Sequence, residues 1–256
     1  MDSHQTLQHF DLFARISKVV AFDNVPVITV TVISFLCGYV QYYYAIRLSL
    51  SERKGPFPLW MHLFYFAHDS SWAYLLHNAA QDYGYYWFFT LSPWALGVWG
   101  VLQLVCIYRA VVVEGDEISS DQLRKRSQSQ SLWYIAVFAA MMYGLIFVGN
   151  VLMGPTCFLQ WAAISNIIMA SGPTTTWLRR GSRNGLSMSL AIVIVAGTVF
   201  TFAPFGMWVQ VAPEIFDHPA YYFMGIVLTA LSITNVVTVS SYPSKVARKG
   251  QSSPIW

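Results

Sequence analysis

One carboxyl stands apart in this chain. Asp69 lies deep inside an apolar run, within Phe66-Ala67-His68-Asp69-Ser70-Ser71-Trp72, and no Lys or Arg lies at comparable depth in any other run. Desolvation disfavours the charged form of such a group, and an ionisable residue in hydrocarbon is a functional candidate by default. A neutral, buried carboxylic acid can act as a general acid. If its segment is helical, His62, Tyr65, Phe66 and Trp72 stand at i−7, i−4, i−3 and i+3 and share the face of Asp69. Aromatic rings beside a proton donor would stabilise a cation formed on an apolar substrate. His68, the next residue, points about 100° away around the helix. Asn166, near the middle of another apolar run, is a further candidate contact, although a polar residue there also serves as interhelical glue.

These residues need a membrane-spanning scaffold. The 256 residues are 55% hydrophobic and only 11% charged, against about 25% charged in an ordinary soluble domain. That excludes a soluble globular enzyme and a disordered chain. The sequence predicts an all-α, polytopic integral membrane protein with seven spanning helices. They fall at about 25–47, 58–80, 87–109, 132–153, 156–178, 186–210 and 220–242. Residues 1–23 read as an amphipathic segment on the outer interface, 24–242 as the membrane domain and 243–256 as a cytosolic tail. Pro204, with Gly197 and Gly206 nearby, predicts a kink in the sixth span.

The loops set the orientation. Arg47, Arg53, Lys54, Arg109, Arg124, Lys125, Arg126, Arg179, Arg180, Arg183, Lys245, Arg248 and Lys249 all fall on one side. Only Arg15 and Lys18 fall on the other, with Asp2, Asp11, Asp23, Asp82, Glu214 and Asp217. The positive-inside rule then predicts a cytosolic C-terminus and an N-terminus outside or in a lumen. The basic residues sit in short gaps and form no nucleic-acid-binding face, so lipids and small molecules are the expected partners. Cys37, Cys106 and Cys157 form no CxxC pair, and no metal or cofactor is expected. The last span lacks the lysine a retinal Schiff base needs, and no Walker A, G-x-S-x-G or H-E-x-x-H motif occurs.

Two stretches resemble the fungal transmembrane terpene cyclases of meroterpenoid and indole-diterpene pathways, the paspaline-cyclase family. One runs from Gly55-Pro56-Phe57-Pro58-Leu59 to Phe66-Ala67-His68-Asp69, where Asp69 falls on the family's catalytic Glu. The other runs from Ala170-Ser171-Gly172 through Leu178-Arg179-Arg180-Gly181-Ser182-Arg183-Asn184-Gly185-Leu186-Ser187 and resembles the Arg-rich turn after the family's fifth helix. The resemblance implies a cofactor-free cyclase of the endoplasmic reticulum. Such an enzyme protonates an epoxide or alkene of a prenylated, lipophilic substrate and starts cationic ring closure. Asp69 would be the general acid, with His62, Tyr65, Phe66, His68, Trp72 and Asn166 around the substrate. The family carries a second acid in its last helix. Here Thr234-Asn235 lies near that place, and Asn235 would orient Asp69 by hydrogen bonding.

Two other readings use the same residues. In a transporter or ligand-binding membrane protein, Asp69 would be a cation or proton site. In a non-catalytic scaffold it would be packing glue between helices. The oligomeric state stays open in each.

Overall fold

The computed structural model describes residues 11–114, 128–245 and 255. The predicted positions Asp2, Arg124, Lys125, Arg126, Arg248 and Lys249 lie outside the described residues. The described residues form helices and no strand. In chain order these are α1 (Leu12–Val19), α2 (Val25–Glu52), α3 (Leu59–Asp82), α4 (Trp87–Tyr108, continued by a π-helical turn Arg109–Glu114) and α5 (Gln128–Met153). Then follow α6 (Phe158–Ser171), α7 (Thr174–Arg180), α8 (Met188–Phe202), α9 (Met207–Val211), α10 (Pro213–Phe216) and α11 (Pro219–Ser241).

Five helical stretches are long and apolar enough to cross a membrane: Val25–Glu52, Trp87–Val112, Leu132–Met153, Met188–Val211 and Pro219–Ser241. Their outer faces stay apolar. On α5, Val151 is 84% and Leu152 79% exposed, which in water would be an aggregation hazard and in a bilayer is a lipid face. The remaining two predicted spans differ for physical reasons. The 58–80 span is α3, the most enclosed of the long helices, packed against α4, α5 and α6. Its neighbours shield it, so it tolerates His62, His68, Asp69, Ser70 and Ser71 without an apolar outer face. The 156–178 span is two helices, α6 and α7, because Pro173 interrupts the ladder after Gly172. The 186–210 span likewise breaks into α8 and α9 around Pro204, a fuller interruption than the expected kink.

Residues 12–19 form the amphipathic helix the sequence predicts. Asp11 caps it, accepting from the backbone N–H of Phe13 and Ala14 at 3.0 and 3.1 Å. Its apolar face does not lie open. Leu12, Phe13 and Ile16 are buried, with the Phe13 ring 5.1 Å from that of Phe89. The Leu12 N–H donates to Thr156 Oγ1, and Arg15 Nε to the Val211 carbonyl. The helix thus caps the end of the bundle opposite the basic loops.

At the basic end, Lys245 Nζ donates to Glu52 Oε1 at 2.5 Å, to the Leu186 carbonyl at 2.6 Å and to the Ile255 carbonyl at 3.0 Å. Glu52 Oε2 accepts from the Gly185 N–H at 2.7 Å. Gly185 has φ +73° and a Cβ there would stand 2.8 Å from that of Lys54, so both conformation and space require glycine. Burial lowers the Lys245 ammonium below the usual lysine range, even with Glu52 beside it.

Candidate functional site

A cavity lies between α2, α3, α4, α6 and α9. Its volume is about 90 Å³, below the roughly 300–1,000 Å³ of drug-sized ligand sites, so a large substrate needs the walls to move apart. Each wall follows from local sequence. On α2, Ser34, Phe35, Gly38, Gln41 and Tyr42 recur at helical spacing along one stripe. Gly38 lets the Trp99 indole of α4 lie against the α2 backbone, since a Cβ there would stand 2.8 Å from Trp99 Cζ2. Trp99 stacks on Phe35 with ring centroids 5.7 Å apart and sits 4.9 Å from Tyr39. Across the space stand Tyr65 of α3, Phe158 and Met169 of α6, and Trp208 of α9.

Asp69 and His68 both face this cavity and are buried, with 2% and 4% exposure. His68 Nδ1 and Asp69 Oδ1 share a hydrogen bond of 2.8 Å. Adjacent helical residues leave the axis about 100° apart. The imidazole nonetheless folds back along the surface to reach its neighbour, which corrects the expectation that His68 points away. His68 Nε2 and Asp69 Oδ2 have no hydrogen-bond partner. Tyr42 of α2 lines the same cavity. The cavity therefore presents a carboxyl–imidazole pair with one open oxygen and one open nitrogen, among aromatic rings. A group of this kind can give a proton and take one back.

The other predicted residues divide. Tyr65 and Asn166 line the cavity beside the pair. The Tyr65 hydroxyl donates to the Ser165 carbonyl at 2.6 Å, and Asn166 Nδ2 to the Ala162 carbonyl at 2.9 Å. His62 does not line it. Its Nδ1 bonds Gln103 Oε1 at 2.7 Å, and Gln103 Nε2 donates in turn to the Tyr42 hydroxyl. Phe66 turns towards α5, edge-on to Tyr143 at 6.4 Å. Trp72 is fully buried against Phe158 at 5.4 Å and is core rather than cavity wall. The three leave the cavity because α3 has neighbours on several sides, so the i±3 and i±4 rows diverge to different helices.

Asn235 also lies apart from the cavity lining. It donates to the Ala170 carbonyl at 3.2 Å and to Thr174 Oγ1 at 3.0 Å, bridging the break between α6 and α7. The freed backbone there needs a donor, and Asn235 supplies it. Tyr42, Gln103, Trp99 and Trp208 were missed. Gln41 and Gln103 carried a usable signal, being uncharged polar residues within apolar runs. Among the described residues no group of three His, Cys, Asp or Glu side chains could hold a metal ion.

No family model, curated protein or solved structure matches this chain.

Proposed function

We propose that the chain crosses the membrane seven times and catalyses an acid-initiated isomerisation of a neutral, lipophilic substrate, most simply a terpene-type cyclisation. The observation that carries this reading is the buried His68–Asp69 pair on the wall of an aromatic cavity, within a bundle of membrane-crossing helices. Seven spans follow if α3 and the α6–α7 pair are added to the five apolar stretches. The 24 residues of α3 extend about 36 Å at 1.5 Å per residue, enough to cross the hydrocarbon core. Arg47, Arg109, Arg180 and Lys245 then share one end, which the positive-inside rule assigns to the cytosol. The N-terminus falls outside or in a lumen, and the resemblance to the paspaline-cyclase family favours the endoplasmic reticulum.

The chemistry is assigned as follows. The proton on Asp69 passes to an epoxide oxygen or an alkene carbon of the substrate. The resulting cation is closed into a ring by a substrate double bond, with Trp99, Tyr65 and Phe158 facing the positive charge. Loss of a proton from carbon then ends the reaction, so product and substrate are isomers. His68 Nε2 is the open base beside the acid. A proton taken there makes an imidazolium paired with the Asp69 carboxylate through the existing Nδ1–Oδ1 hydrogen bond, and passage of the Nε2 proton to Asp69 Oδ2 restores both groups to their starting states. The pair thus fills the role that the resemblance assigns to a second acid, and that Asn235 was expected to support.

The test compares membranes holding the wild-type chain with matched Asp69→Asn membranes, each given epoxidised prenylated substrates. Mass spectrometry follows products of unchanged mass and shifted retention. Asn keeps the shape and an acceptor for His68 but carries no acidic proton, so turnover should fall at least about 10²- to 10⁴-fold at unchanged protein level. A variant retaining most activity refutes the assignment. Proton-coupled binding or transport is the second reading, favoured by the same open pair. It predicts ligand-dependent proton uptake with no change in the ligand.

A further inference from the structure

The buried polar groups beyond the cavity form a directed chain. Gln103 Oε1 can only accept, so the 2.7 Å contact with His62 requires the hydrogen to sit on His62 Nδ1. That fixes the amide the other way round at its far end, where Gln103 Nε2 donates to the Tyr42 oxygen. A phenol oxygen that accepts from one side turns its own hydrogen elsewhere, and the Asp69 carboxyl, whose Oδ2 has no partner, lines the same cavity as Tyr42. His62, Gln103 and Tyr42 come from α3, α4 and α2, and their exposures are 3%, 1% and 5%. Three dry polar groups on three helices are costly unless mutually satisfied, and their order is then hard to reverse.

We infer that Gln103 is a positioning residue for Asp69: held by His62, it turns the Tyr42 hydroxyl so that it donates to the Asp69 carboxyl. The inference rests on the acid-initiated reading above for its catalytic meaning, and on the His62–Gln103–Tyr42 hydrogen bonds and the cavity wall that Tyr42 shares with Asp69 for its structural content. A donor aimed at the carboxyl stabilises the carboxylate left when the proton moves to substrate. Gln103 touches neither the cavity nor the carboxyl, and it does not line the substrate space. Its whole effect on the reaction passes through Tyr42.

Infrared difference spectroscopy of the full chain in lipid nanodiscs tests this without any substrate. Subtracting the Asp69→Asn spectrum isolates the Asp69 carboxyl band. Gln103→Leu and Tyr42→Phe should each move that band to higher wavenumber, since each removes or misdirects the same donor. The double variant should move it no further than Tyr42→Phe alone. Gln103→Met, closer in shape and also without a donor, serves if the Leu variant fails to fold. In the turnover assay kcat should fall about 10- to 100-fold with KM little changed, the range expected for one hydrogen bond to a charged group. An unmoved band in Gln103→Leu, or an equal further shift in the Tyr42→Phe background, overturns the proposal. A band that moves in the variants, when the wild-type protein turns over no substrate, supports the chain and overturns the acid-initiated reading. Turnover with an unmoved band does the reverse.

Discussion

Gly38→Ala probes the cavity wall with a single methyl. Its Cβ would stand 2.8 Å from Trp99 Cζ2 and 3.3 Å from Cη2. Carbon pairs prefer about 3.5–4.0 Å, so the indole must give way by roughly 0.7–1 Å. It has little room on its α2 side, where Phe35 stacks on it and Tyr39 sits 4.9 Å away, so the shift is into the cavity. Overpacking of this kind costs about 1–3 kcal/mol. The same substitution removes a helical glycine, which returns about 0.8–1.0 kcal/mol. The net expectation is a protein roughly 0–2 kcal/mol less stable, with a smaller cavity and an altered product ratio. In a Trp99→Leu background the clash is gone and only the helix effect remains, so Gly38→Ala should stabilise by about 1 kcal/mol. The assay is the apparent Tm in detergent, read as loss of monodisperse protein across the four-member cycle. Equal effects in both backgrounds, within the about 0.3–0.5 kcal/mol of ordinary additivity, would refute the stated contact.

Three further outcomes are expected. Trp72→Ala should destabilise the protein by about 3–5 kcal/mol, the cost of emptying a buried indole site, whereas a stable variant with changed products would place Trp72 on the cavity after all. Asn235→Ala should loosen the α6–α7 break, costing about 1–3 kcal/mol while leaving product ratios as they are, and a product change would return Asn235 to the site. Burial and the hydrogen bond to Asp11 raise the Tyr83 phenol above the usual tyrosine range. A raised phenol supports docking of α1 in full below about pH 10 and loses that support as pH climbs through the folded value. Limited proteolysis at Arg15 should therefore quicken at strongly alkaline pH in the wild type but not in Tyr83→Phe, and equal pH dependence in the two would refute it.

The elements were legible because membrane helices write themselves in long apolar runs. The break at Pro204 was legible as a kink, since proline acts within its own helix. The break at Pro173 was missed because apolar residues continue across it and hydropathy does not register a lost hydrogen bond. Asp69, His68, Tyr65 and Asn166 could be placed from residue type and depth alone. The partners from α2 and α4 could not, because which helices neighbour α3 depends on packing that no single run encodes. Phe66 and Trp72 show the limit of the helical wheel. They share a broad face with Asp69 in projection, yet one meets α5 and the other the Phe158 core. His68 shows another limit, since Cβ directions say little about where an imidazole two bonds further out can reach.

The docking of α1 has a consequence for how the protein is made. Its anchors are Thr156 and Val211, which follow it in the chain by 144 and 196 residues respectively. No part of that seat exists when α1 leaves the ribosome. At about 5–20 residues per second, the last anchor is synthesised roughly 10–40 s later. Through that interval the seat of Leu12, Phe13 and Ile16 is incomplete, with Tyr83 and Phe89 made early and Thr156 and Val211 still to come. A chain stalled before Val211 would keep this apolar stripe only partly covered, a visible mark of incomplete assembly for the quality-control machinery to read.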